Sequence, residues 1–225
     1  MVIPWANRAS WAGLFSRFGR PVSALLLAGL VALVPPLGAA EPQTIVFFGD
    51  SLTAGYGLGD PSTQAYPALI QAKLSAAGLP WRVVNAGLSG ETTSGGARRV
   101  DWILRQPAAI FVVALGGNDG LRGIRPDVAR ANLETILEHV HAKYPAAKLV
   151  VAGMKMPREM GPDFATAFEN IFPAVAAKHQ AVLIPFLLEG VGGSATLNQP
   201  DRIHPTAEGH ALVAETVWKA IRPLL

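Results

Sequence analysis

The 225-residue chain contains no cysteine. That absence excludes a disulfide framework, a thiolate metal site and lipid attachment through a lipobox cysteine. Acidic residues are missing from the first 40 positions, which carry Arg8, Arg17 and Arg20. A long apolar run is missing too: Val22–Val34 covers about 13 residues, against the roughly 20 that a spanning helix needs. A basic start, a short apolar run and Pro35-Pro36-Leu37-Gly38-Ala39-Ala40 have the layout of a secretory signal over residues 1–40, cleaved near Ala40. The expected product is an exported domain over residues 41–225, periplasmic or secreted, with no membrane span after cleavage.

Removing that segment also removes the chain's apparent basicity. Of 19 basic and 16 acidic residues, three basic ones and no acidic ones precede position 41, which leaves 16 against 16. A neutral domain gives no reason to expect nucleic acid or an anionic membrane as a partner. Roughly 185 residues suit one domain with a sizeable core, and no repeat or linker divides it.

Strand-like and helical patterns alternate along residues 41–225. Thr44–Phe48, Arg82–Asn85, Ile110–Leu115, Leu149–Ala152 and Val182–Phe186 read as five strands. Helices are expected over Tyr66–Ala77, Asp127–Tyr144, Phe164–His179 and Thr206–Ile221, with Val128, Leu133, Ile136, Leu137, Val140 and Tyr144 marking one face of the second. The alternation predicts an α/β fold, a parallel sheet between two helical layers.

Three separated segments carry chemistry. Gly49-Asp50-Ser51-Leu52 and Gly116-Gly117-Asn118-Asp119 each follow an apolar strand, so Ser51 and Asn118 are expected at carboxyl ends of strands, where open α/β sheets place ligands. Asp201-Arg202-Ile203-His204 supplies a histidine with an acid three residues before it. A serine hydroxyl becomes a nucleophile when a neutral imidazole takes its proton, and a carboxylate on the other ring nitrogen fixes the tautomer. Asn118 offers a side-chain amide, and Gly90, after the second strand, a backbone amide, to stabilise a tetrahedral oxyanion. Ser51 does not sit in Gly-x-Ser-x-Gly, since Thr53 follows two residues on, so its turn differs from the nucleophile elbow of the other large α/β hydrolase group. His139 and His141, two apart on a helix, do not share a face and argue against a metal pair.

Gly49-Asp50-Ser51-Leu52, Gly90, Asn118 and Asp201-x-x-His204 resemble the sequence blocks of the SGNH, or GDSL, hydrolases. Gly49–Tyr56, Asn85–Gly90, Gly116–Gly123 and the Ile203-His204-Pro205 turn are most similar to the exported bacterial acyl-CoA thioesterase, lysophospholipase and arylesterase group. The resemblance implies a flavodoxin-like three-layer fold with a five-stranded parallel sheet and an acyl-enzyme on Ser51. It further implies His204 as acid–base, Asp201 as its orienter, and an oxyanion hole from Ser51, Gly90 and Asn118, with no metal or organic cofactor. It also places the loop Asp119–Ile124, with Asp119, Leu121 and Ile124, and the segment containing Met154, Met156 and Pro157 beside the acyl groove. Met154, Met156 and Met160 could equally serve as core filler.

Acyl-CoA is a cytosolic metabolite that an exported protein rarely meets, so an aryl or acyl oxygen ester or a lysophospholipid is the expected substrate. A glycan O-acetyl esterase is the alternative, and would favour an open polar groove with aromatic platforms. Trp81, Trp102 and Trp218, the tryptophans beyond position 40, adjoin none of the catalytic blocks. A non-catalytic binding protein on the same scaffold would not require Ser51, Asp201 and His204 together.

Overall fold

The computed structural model describes residues 43–225; the expected signal segment lies outside them. The strands are β1 (Gln43–Gly49), β2 (Trp81–Gly87), β3 (Ile110–Ala114), β4 (Lys148–Ala152) and β5 (Val182–Ile184). All four pairings are parallel and the order across the sheet is β2-β1-β3-β4-β5. The central strands β1 and β3 are buried on both faces, which explains their unbroken apolar runs Ile45–Phe48 and Ile110–Ala114. At the edge, β2 carries the polar Arg82 and Asn85.

The helices are α1 (Ser51–Ala54), α2 (Pro61–Gln64), α3 (Tyr66–Ala76), α4 (Thr93–Ile103), α5 (Gly117–Leu121), α6 (Pro126–Lys143), α7 (Pro162–Glu169), α8 (Ile171–Lys178) and α9 (Ala207–Ile221). With right-handed crossovers, α3 packs with α9 on one face, and α4, α6 and α8 pack in turn on the other. No described helix is long and apolar enough to cross a membrane.

Three expectations about these elements need correction, and one helix was not expected. The helix expected over Phe164–His179 is two, because Pro173 has no amide hydrogen to give the carbonyl of Glu169 and its ring crowds that carbonyl; α7 ends at Glu169. Strand β5 stops at Ile184, since Pro185 cannot donate to the ladder. On α6, Val128 is exposed and Ala129 takes the buried place, so the core face is Ala129, Leu133, Ile136, Leu137 and Val140. The sequence reading also passed over α4, whose Gly95 and Gly96 weaken the helix signal. Gly96 is there for packing: a Cβ would lie 2.5 Å from a Leu115 methyl carbon.

Between β1 and β3 the chain order reverses, because β2 lies on the far side of β1. The carboxyl ends of these two neighbours therefore open onto the crevice at the switch point of the sheet. Ser51 follows the first and Asn118 the second.

Candidate active site

Ser51 is the first residue of α1, immediately after the N-cap Asp50. The Asp50 carboxylate accepts from the Leu52 amide at 3.0 Å, so the turn is fixed from inside. In the first helical turn the amide hydrogens have no intrahelical partner, which leaves the Ser51 N–H free of the helix's own bonding. The turn also lies tightly against β3. A Cβ on Gly49 would fall onto the Thr53 hydroxyl and 2.9 Å from the Ala114 carbonyl, so only glycine fits there.

The histidine arrives from the opposite end of the chain. One oxygen of Asp201 accepts from the amides of Ile203 and His204 at 2.9 and 3.0 Å, closing a turn of the kind aspartate favours. Its other oxygen lies 2.7 Å from His204 Nδ1. His204 Nε2 lies 2.9 Å from Ser51 Oγ. Burial alone would raise the Asp201 pKa, but the His204 ring and the two amides outweigh it and hold the carboxylate at about 2. It therefore carries a negative charge against Nδ1 throughout the neutral range.

Residues that the sequence reading did not single out anchor this loop. Gln199 donates from its side chain to the carbonyls of Tyr56 and Pro205, at 2.7 and 3.1 Å, and its amide donates to the His204 carbonyl at 2.7 Å. Buried Asn198 donates to the carbonyls of Val191 and Ser194, at 2.7 and 2.8 Å, folding the glycine-rich stretch before the catalytic turn. The Tyr56 ring stands over His204, with centroids 4.7 Å apart. Asn-x-x-Asp-x-x-His is a weak pattern, and only the fold reveals what its first member holds.

Asn118, second in α5, donates its side-chain amide to the Glu91 carbonyl at 3.0 Å and to Asp50 Oδ2 at 3.3 Å. The strand end before it turns through Gly116, at φ 120°, a conformation open chiefly to glycine. Glu91 is nearly buried and paired with Arg99 at 2.9 Å; that guanidinium also donates to the Ala86 carbonyl and lies over the Phe48 ring. Gly90 sits in the same turn at φ 78°, its carbonyl held by Arg122 at 3.1 Å. Burial raises the Asp50 pKa to about 6, although the Leu52 amide, the charge of His204 and the Asn118 amide pull the other way.

A groove of about 510 Å³ opens beside Ser51 and His204. Leu52, Leu121, Met154, Met156, Phe186, Leu188 and Ile203 give it apolar walls, with Pro157, Gly192 and Gly193 along the rim. Of the six residues expected here, Leu121, Met154, Met156 and Pro157 line it, and Asp119 and Ile124 do not. The reason is that the loop is helical: Asn118 and Leu121, three apart, share the outward face, whereas Asp119 turns inward. Its carboxylate is fully buried and accepts from the amide and hydroxyl of Thr93, at 2.8 and 2.5 Å, fastening α5 to α4. Gly90 is also absent from the groove lining, while Ser51 and Asn118 belong to it. None of the three tryptophans borders it. Among the described residues no cluster of three carboxylate or imidazole groups converges as a metal would require.

Two other histidines have structural partners away from the groove. His210, almost fully buried, accepts from the Tyr66 amide at 3.2 Å and stacks on the Tyr66 ring. His139 pairs with Asp101 across α6 and α4 at 2.8 Å.

Residues 47–212 match the model of the GDSL-like lipase/acylhydrolase family. Esterase TesA of Pseudomonas aeruginosa is 40% identical over 203 residues, 90% of this chain and 99% of that protein. Thioesterase 1/protease 1/lysophospholipase L1 of Escherichia coli K12 is 35% identical over 188 residues, 83% of this chain and 87% of that protein. Among solved structures, the crystal structure of TesA superimposes with a TM-score of 0.77 at 40% identity, over 81% of this chain and all of that one.

Proposed function

Because the chain belongs to the GDSL-like lipase/acylhydrolase family and is a serine ester hydrolase, we propose that Ser51, His204 and Asp201 carry its reaction on single-chain acyl esters. The observation that supports this best is the continuous relay from Ser51 Oγ to His204 Nε2 at 2.9 Å and from Nδ1 to Asp201 at 2.7 Å. Ser51 attacks the ester carbonyl carbon as His204 Nε2 takes its proton. The tetrahedral oxyanion is met by the Ser51 and Gly90 amides and by the Asn118 side chain. The longer of the two Asn118 bonds, to Asp50 at 3.3 Å, is the one released. Collapse breaks the bond to the leaving oxygen, which receives the proton from His204. Water then repeats the sequence on the acyl-enzyme, freeing the acid and restoring Ser51. Ionised Asp201 stabilises the imidazolium in both halves.

The substrate class follows from the groove. Its walls are apolar along Leu121, Met154, Met156 and Phe186, suited to an aliphatic or aryl chain, and methionine adapts to chains of different length. A glycan O-acetyl esterase would favour an open polar groove with aromatic platforms, whereas most of these walls are aliphatic and no tryptophan borders them. The layout of residues 1–40 supports export, so oxygen esters such as lysophospholipids fit better than cytosolic thioesters. Mass determination of the secreted form tests that point; a chain retaining residues 1–40 in the cytosol contradicts it.

The direct test compares wild type with Ser51→Ala on p-nitrophenyl acetate, butyrate, octanoate and palmitate. Loss of a triad serine costs on the order of 10⁶ in kcat, and fluorophosphonate labelling disappears with it. Equal, low turnover by both proteins on every ester would sink the assignment.

A further inference from the structure

Arg202 lies between two members of the relay, yet the relay makes no use of it. Its φ is 60°, in the left-handed region where a Cβ meets the backbone and where glycine is at ease. Its amide donates to the Gln199 carbonyl at 2.8 Å, and this closes the turn with any residue at the position. The backbone thus argues for glycine, and an arginine there is carried against a conformational penalty. Strain of this kind gathers where a side chain is put to use.

The side chain has an evident place. Arg202 is exposed and lines the groove beside His204. Neither ion pair of this rim involves it: His204 pairs with Asp201, and Lys155 lies 3.4 Å from Glu169. Lys155 also lines the groove, its ammonium 5.2 Å from the centre of the Phe186 ring. The acid in the lining is Asp50, which is buried. Among the described residues Arg202 is therefore the exposed charged side chain of the lining that has no ion-pair partner. A guanidinium offers a planar fork that matches phosphate oxygens in pairs.

Resting on the hydrolase reading above, we infer that Arg202, assisted by Lys155, reads a phosphate on the leaving-group side of the substrate while the apolar walls hold the acyl chain. His204 delivers its proton to the leaving oxygen, or to the sulfur of a thioester, and Arg202 lines the groove two residues earlier in the same turn. The phosphate can belong to a lysophospholipid headgroup or to coenzyme A; the chemistry of recognition is shared. Arg202 is then a specificity determinant: it lowers KM for phosphate-bearing esters and takes no part in the covalent steps.

Three lauroyl substrates test this, all below their aggregation limits: lauroyl lysophosphatidylglycerol, lauroyl-CoA and neutral monolauroylglycerol. They are assayed with wild type, Arg202→Gln, Arg202→Lys and Arg202→Gly. In Arg202→Gln and Arg202→Gly, kcat/KM on a phosphate ester is expected to fall about tenfold further than on the neutral ester, mainly through KM. Arg202→Lys recovers part of the difference. The selectivity of wild type shrinks as salt rises toward about 0.5 M, where charges are screened within a few ångströms. Loss on the lysophospholipid alone identifies the headgroup, and loss on the thioester alone identifies coenzyme A. Arg202→Gly relieves the backbone, so its melting temperature should equal or exceed that of wild type, which separates lost recognition from lost folding. Equal losses on all three substrates overturn the inference while leaving the hydrolase intact. A wild type inert on all three but active on p-nitrophenyl butyrate overturns the inference alone, and one inert on that ester as well overturns both.

Discussion

Asp50 and Asn118, 68 residues apart in sequence, meet through a 3.3 Å hydrogen bond from the amide to a carboxylate that burial holds near pKa 6. The bond joins the turn after β1 to the turn after β3. It also occupies a donor that catalysis would call upon, so the carboxylate has two effects, one on stability and one on the oxyanion.

The stability effect has a definite sign. Folded Asp50 holds its proton more tightly than it does in the unfolded chain, where its pKa is the ordinary 3.8. Its contribution therefore falls as pH rises from about 3.8 through about 6, by up to about 3 kcal/mol for a shift of roughly two units. Asp50→Asn has no such slope. In urea titrations at pH 4, 5.5 and 7, the stability of the variant relative to wild type should rise with pH; a constant difference would show that Asp50 does not titrate on folding.

Asn118→Ala removes one proposed oxyanion donor and should lower kcat by about 10² to 10³ with little change in KM. Steady-state kinetics on p-nitrophenyl butyrate decide it. If KM rises and kcat holds, Asn118 binds the ground state instead.

Asp201→Asn presents an amide in place of the acceptor at Nδ1 and stabilises the wrong tautomer of His204. A loss on the order of 10⁴ in kcat is expected by analogy with serine proteases, with far-UV circular dichroism unchanged. Since Asp201 is ionised down to about pH 2, wild type should show no loss of activity between pH 7 and 9 from this group.

His210 gives a pH effect of the opposite sign to Asp50. Burial, and then the charge of His204, lower its pKa from 6.5 to about 4. The stability it contributes is full above 6.5 and is lost as pH falls through about 4, amounting to roughly 3 kcal/mol. His210→Asn keeps an acceptor for the Tyr66 amide but does not titrate. The variant should be less stable at pH 7 by about 1–3 kcal/mol through lost packing, with the gap closing toward pH 4. Parallel acid limbs in denaturation curves would refute this.

Chain-length preference should respond to Gly120. A Cβ there would strike the Met156 sulfur, the flexible end of a groove-lining side chain. Gly120→Ala is expected to push the thioether into the groove and shift the kcat/KM maximum toward shorter esters. An unchanged profile across acetate to palmitate would mean that Met156 moves elsewhere.

Much of this site was legible in the residues because its parts lie at punctuated strand ends. Ser51 and Asn118 follow apolar runs, and Asp201 and His204 are local to each other. The geometry that joins them was not legible. Asp119 looked like a groove residue until the helical phase of α5 turned it toward Thr93. The Asn198 and Gln199 contacts, and the pair Glu91–Arg99 beneath Asn118, depend on tertiary neighbours that no local pattern announces. Pro173 did announce its break, through the carbonyl of Glu169, but a continuous apolar pattern concealed it.

Ser51 and His204 stand 153 positions apart along the chain. With the proposed roles, a nascent polypeptide that has displayed its nucleophile is still without a base until nearly the entire domain has been synthesised, and the final helix, held through the Tyr66–His210 contact, follows His204 in the chain. Hydrolysis is thus a property of the finished molecule alone. A ribosome-bound intermediate stays inert toward esters.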